Sequence, residues 1–244
     1  MIKKIALAGL VLLIVFNIFP QENNGQKSSD QVLFNETEKY LNKICSWDRI
    51  FLNSIVKKIS TPGNVHVVLS RDVPVKLVLD ETIDLYIDDT DFEDATIYIT
   101  SGYILILENE AELAGDIAHE LAHLASLYDR TSSANTAEEQ LDIELAADKV
   151  ALLILKEMGY RLEAVADILD RVLSKYLDRI ILLQPKSSLE RRVLEGKKLA
   201  NKIYLSESKN RKDCKEYLLA SETQFKAMKI IVKYLQNKPE KSGK

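Results

Sequence analysis

The chain has 244 residues, 46% hydrophobic and 29% charged, with a net charge of −4. So mild a charge, without a basic stripe interleaved with aromatics, argues against a nucleic-acid partner. The two cysteines, Cys45 and Cys214, lack a C-x-x-C spacing and so define neither a cysteine zinc site nor a thiol redox enzyme. They can pair in an oxidising compartment or stand as separate buried thiols, and spacing does not choose between the two.

Lys3 and Lys4 precede a mainly apolar run from Ile5 to Phe19, which Pro20 and Glu22 end. This is the layout of a secretory signal or a short retained anchor. Asn17, Ile18, Phe19 and Pro20 supply no small-x-small cleavage site, so the expectation is a retained membrane anchor, although the run is short of the roughly 20 apolar residues of a full span. With the lysines held inside, the remainder faces outward, or is secreted if the leader is cleaved. The expected organisation is a signal or anchor over 1–20, a polar linker over 21–31, a domain over 32–236 and a disordered tail over 237–244.

Beyond the linker, Leu33, Leu41, Ile44, Phe51, Leu52, Ile55 and Ile59 recur at helical spacing, predicting a helix over Val32 to Ile59 that Thr61-Pro62-Gly63-Asn64 breaks. Five short runs rich in branched or aromatic residues read as strands: Val65 to Leu69, Val75 to Leu79, Leu85 to Ile87, Ile97 to Ile99 and Tyr103 to Leu107. Asp88, Asp89 and Asp91 form a turn between them. His66 falls inside the first run and reads as a sheet residue.

The second half reads as helices. Asn109 caps one, with Glu112 in the reciprocal position, and it runs to about Tyr128. A small, polar connection from Asp129 follows. Thr136 with Glu139 three residues on forms a capping box, so the next helix starts at about Ala137 and ends at Gly159. Further helices are expected over Arg161 to Ile181, Ser187 to Asn201 and Lys212 to Leu235. The lysines from Lys226 to Lys244 read as a solvated helix face and a frayed end. The fold class is therefore α+β, mainly helical with a small β-sheet.

Within the Asn109 helix stand His119, Glu120 and His123, an H-E-x-x-H. Residues four apart share a helix face, so both imidazoles can point at one cation. Burying them with a carboxylate and no partner would be costly, which favours metal over core histidines. A catalytic zinc takes three protein ligands and keeps one position open. Glu144, about two turns into the next helix, is the best third ligand, against the readings of a solvated carboxylate or of Glu138 or Glu139 in its place. Asp148 lies one turn further on the same face, where it can accept the free N–H of a ligating histidine, or else pair with surface lysines such as Lys149.

The H-E-x-x-H followed by Glu144-Leu145-Ala146-Ala147-Asp148 resembles the M48 family (HtpX-like) of zinc metallopeptidases, whose pattern continues with E-x-x-x-D on the next helix. The likeness covers roughly Ile83 to Arg192 and includes Glu112-Leu113-Ala114 and the stretch Ile97 to Leu105, similar to the family's strand, glycine turn and strand. It implies a zincin-like domain with one zinc ion and an extended peptide paired along the strand segment. The chain departs from the pattern at Gln184, where relatives carry histidine, and at Arg191, which stands about one residue late. The segment between Gly102 and Glu112 is also shorter than usual and lacks the Gly-Leu-Leu run.

The expected chemistry is zinc-dependent peptide hydrolysis by an endopeptidase acting on proteins or peptides at or outside the membrane. His119, His123 and Glu144 hold the zinc, and Glu120 takes a proton from the activated water and returns it to the leaving amine. Tyr103 or Arg191 is a candidate for steadying the negative oxygen or shaping the cleft. The competing readings are a membrane-tethered metal-binding chaperone or scaffold, and an aminopeptidase with an anchor for the substrate's amine.

Overall fold

The computed structural model describes residues 29–44, 73–88, 95–126, 136–179, 185–206 and 215–237. Three short strands, β1 (Val75–Val78), β2 (Leu85–Asp88) and β3 (Thr96–Thr100), form a mixed sheet in the order β1-β3-β2. β1 runs parallel to β3 and β2 antiparallel to it. Ile97 lies level with Val75 and Ile87, and Ile99 with Leu77 and Leu85, so the alternation of apolar residues builds one continuous inner face. The opposite face carries the row Lys76, Tyr98 and Tyr86, in which the two tyrosine rings stack with centroids 5.4 Å apart.

Helix α1 (Ser29–Ile44) closes the outer edge of β1 with side chains in place of a fourth strand. The Asn42 amide accepts from Val75 N at 2.9 Å and donates to Val75 O at 2.8 Å, and Glu38 accepts from Leu77 N at 3.2 Å. Main-chain groups that would otherwise template another strand are thereby satisfied.

After β3 the chain turns at once into helix α2 (Ser101–Ile106), which corrects the expected strand over Tyr103 to Leu107. A five-residue apolar run carries too little periodicity to separate the two states. Three-dimensional neighbours decide it. The Thr100 hydroxyl accepts from Tyr103 N at 3.1 Å as an N-cap and also reaches Thr82 O at 2.7 Å, while Gly102 N donates to Asp80 O at 2.8 Å. At Gly102 the 80–82 loop comes so near that a Cβ would sit 2.2 Å from Thr82 O and 2.3 Å from Glu81 O. Only glycine permits that approach.

The helical layer comprises α3 (Glu110–Ser126), α4 (Ala137–Glu157), α5 (Ala164–Arg171), α6 (Lys186–Ser206) and α7 (Lys215–Gln236). Leu113, Ala114, Ile117, Ala118 and Leu124 of α3 are fully buried, and α3 packs against α4 and α5 with the small Ala111, Ala114, Ala118 and Ala122 buried along it. The predicted capping box at Thr136 and Glu139 is present with both bonds, and α4 ends at Gly159, whose φ is +76°. The helix expected over Arg161 to Ile181 is shorter and irregular: α5 is followed by a wider π turn over Val172–Tyr176 and a 3-10 turn over Leu177–Arg179.

The molecule is thus mainly helical with a small three-stranded mixed sheet, as the α+β reading anticipated. The expectation of membrane attachment through a signal or anchor is corrected: no helix among the described residues is long and apolar enough to cross a membrane. The 1–20 run on which that expectation rested lies outside the described residues, as do the Val65 to Leu69 run with His66, residues 45–59 of the first helix, Asp89 and Asp91, Cys45, Cys214, Gln184 and the 238–244 tail.

Candidate metal centre

The first turn of α3 is anchored before any metal chemistry begins. Asn109 Oδ1 accepts from Glu112 N at 3.1 Å, the cap expected of it, but the Glu112 carboxylate accepts from Glu108 N at 2.8 Å, one residue earlier than a capping box requires. Arg171 of α5 meets that carboxylate with two bonds of 2.6 and 2.8 Å. Glu112 is only 1% exposed, so the planar two-point pairing supplies the neutralisation its burial demands. Glu110, next to it, accepts hydrogen bonds from Tyr40 and Tyr160. The helix that carries the histidines is therefore held at its start by α1, by α5 and by the segment that follows α4.

Two turns on, His119 and His123 present their Nε2 atoms 2.9 Å apart. Glu144 of α4 completes the group, with Oε2 at 3.3 Å from His119 Nε2 and Oε1 at 3.6 Å from His123 Nε2. These three residues form a cluster able to hold a metal ion. The donor set can be tested against the geometry of zinc: bonds of about 2.0–2.1 Å in a tetrahedron place neighbouring donors roughly 3.3 Å apart. The two imidazole nitrogens stand 2.9 Å apart, and each has a Glu144 oxygen near that spacing, Oε2 at 3.3 Å from His119 and Oε1 at 3.6 Å from His123. Two nitrogens and one carboxylate oxygen also match the donors of a catalytic rather than a closed structural site.

Asp148, one turn beyond Glu144, takes His119 Nδ1 at 2.8 Å. This is the contact expected of it, and it points Nε2 toward the cluster. Arg192 of α6 binds both carboxylates: its Nε and Nη2 meet Asp148 at 2.8 Å each, and its Nη1 meets Glu144 at 2.8 Å. His119, Glu144, Asp148 and Arg192 are all less than 10% exposed. Their charges compensate one another. Burial lowers the His119 pKa, but the bonds to Asp148 and Glu144 and the charge of Asp148 outweigh it and bring the ring to about 10. Burial raises the Asp148 carboxyl, and Arg192 and His119 more than reverse this, to about 2. Glu144 is likewise held well below the usual carboxylate range, against burial, by the two histidines and Arg192.

Glu120 differs from all of these. It is half-buried, and its carboxylate takes no hydrogen bond from any described residue. Burial raises its pKa, and the nearby His119 and His123 oppose the rise. A carboxylate so placed is available to exchange a proton with a molecule in the site.

The remaining expected residues make other contacts. The Tyr103 hydroxyl donates to Asp116 Oδ2 at 2.6 Å, and burial followed by the Asp116 charge raises its pKa well above the usual value. Arg191 is exposed and pairs with Glu138 at 2.9 Å. Arg192 is the arginine that reaches the ligands, and helix phase in the sequence would have found it. Ser188, Leu189, Arg192, Val193, Gly196 and Ala200 share the buried face of α6, and Arg191 does not. The expected pairing of substrate along Ile97 to Leu107 is corrected as well, because β3 has a strand on each side and Tyr103 to Ile106 are helical.

No protein-family model matches the chain, and no curated protein matches it.

Proposed function

We propose that the chain is a zinc-dependent hydrolase of peptide bonds, an endopeptidase with an M48-like, zincin-type arrangement. The observation that carries this reading is the contrast between Glu120 and its neighbours: Glu144 and Asp148 are tied by Arg192, while Glu120 takes no hydrogen bond from any described residue. A site that only stored a metal has no use for an uncommitted carboxylate beside its ligands.

His119, His123 and Glu144 would hold the zinc, which in such sites lowers the pKa of a water and polarises a carbonyl. Asp148 keeps His119 in the tautomer that offers Nε2. Glu120 receives the proton of the attacking water and delivers it to the departing amine, the part a partly desolvated carboxylate performs well. The substrate's main chain has a place at β2. This strand pairs with β3 on one side, no described strand pairs with its other side, and it lies against α3. An extended peptide added there would lie beside the sheet that packs on α3, with main-chain bonds supplying affinity.

The test is metal analysis and digestion of an unfolded polypeptide and a peptide library, run on the wild type and on Glu120→Gln. Retained zinc with cleavage lowered by about 10³-fold or more in the variant is expected, since a proton-transfer group contributes on the order of 10²–10⁴-fold. A zinc-loaded wild type that cuts nothing would leave the metal-binding scaffold as the reading.

A further inference from the structure

Asp116 stands one helical turn before Glu120 on α3, and both keep a minor part of their surface open to solvent while Ile117, Ala118 and His119 between them are buried. They therefore open on the same side of the helix. The charge of Asp116 acts on both His119 and Arg192, and that of Glu120 acts on Asp116, which places Asp116 within the electrostatic reach of the metal centre. Its orientation is set from outside the helix. Tyr103 holds Oδ2, and Tyr103 is itself fixed by the Thr100 cap and the close contact at Gly102. The other oxygen, Oδ1, takes no hydrogen bond from any described residue and is not sealed from solvent.

Among the described residues, the cationic groups whose charge acts on the pair are committed elsewhere. Arg192 is spent on Asp148 and Glu144, and His119 on Asp148 and the metal cluster. A carboxylate aimed by a tyrosine, beside a catalytic carboxylate and without a paired cation among the described residues, fits a positive group arriving with the substrate. We propose that Asp116 is a specificity-determining residue, with Tyr103 as its positioning residue, and that it selects substrates carrying an ammonium or guanidinium group beside the scissile bond. This rests on the hydrolase reading of the same site. Such a group belongs either to a lysine or arginine side chain or to a free α-amine.

The experiment uses the zinc-loaded full chain and matched peptides with lysine, arginine or norleucine at each position, every one with a free and an acetylated amino terminus. The expected result is a preference for the cation at one position, and a cation-to-norleucine ratio of kcat/KM that falls about tenfold in Asp116→Asn, with a smaller fall in Tyr103→Phe. If the preference instead follows the free terminus, the α-amine is the ligand. Equal cleavage of charged, neutral and blocked peptides, or an unchanged ratio in Asp116→Asn, overturns the proposal while leaving the hydrolase reading intact. A binding arm separates the two failures. Zinc-loaded Glu120→Gln should bind the preferred lysine peptide about tenfold more tightly than its norleucine counterpart by fluorescence anisotropy, and should lose that difference when Asp116→Asn is added. Equal binding contradicts the inference whether or not the wild type cleaves.

Discussion

Two carboxylates and an imidazole crowd within hydrogen-bond range in the interior, and Arg192 makes this arrangement sustainable. Its planar guanidinium meets Asp148 with two parallel bonds and still reaches Glu144, which a lysine's single ammonium cannot do. Arg192→Lys is accordingly expected to weaken zinc binding by about 10- to 100-fold, the usual cost of losing a partner that orients metal ligands, as measured by competition with a chromophoric chelator. Arg191→Ala should leave zinc affinity unaltered and stability within about 0.5 kcal/mol, since its pair with Glu138 is exposed. The reverse pattern would return the role to Arg191. At this scale His119, His123, Glu144 and Asp148 were legible because helical spacing alone brings them to facing surfaces. Arg192 was not, because the family resemblance points to Arg191 by its place in the chain, whereas the buried phase of α6 singles out Arg192.

Among the elements, those with strong local signals were readable and those decided by tertiary contact were not. Thr136 with Glu139, and Gly159 after α4, mark helix ends through bonds made within a few residues, and both are found as expected. The run Tyr103 to Leu107 has the composition of a strand, yet the Thr100 cap and the 80–82 loop fold it into α2. Gly102 is the pivot. Gly102→Ala should destabilise the protein by about 3 kcal/mol in chemical denaturation, because the obstructing atoms are main-chain carbonyls rather than pliable side chains. Gly196→Ala makes the contrasting case: its nearest neighbour is the Ala166 Cβ at 3.4 Å, and the gain in helix propensity, up to about 1 kcal/mol, should leave stability equal or higher. Similar losses for both variants would mean that the approach at Gly102 is not what sets the β3 to α2 turn. That turn also matters to the site, since it carries Tyr103 to Asp116.

For the whole molecule, composition and periodicity were enough to read a mainly helical α+β fold, because the helical half is long and amphipathic. Sheet order was beyond them. Nothing in the β1, β2 and β3 sequences states that the last of the described strands lies between the other two, a non-local pairing, and the proposed place for a peptide moves with it from the interior β3 to the outer β2. The membrane expectation came from a leader-like composition alone, and no described helix supports a crossing. What unites α3, α4 and α6 is the convergence of His119, His123 and Glu144, braced by Asp148 and Arg192. Zinc K-edge X-ray absorption on the purified full chain tests that convergence most directly. One equivalent of zinc is expected, with two imidazole nitrogens and one or two further oxygen or nitrogen donors at about 2.0–2.2 Å, and a signal lost with His119→Ala or Glu144→Ala. Sulfur donors at about 2.3 Å, or a spectrum unchanged when His119 or Glu144 is removed, would contradict it.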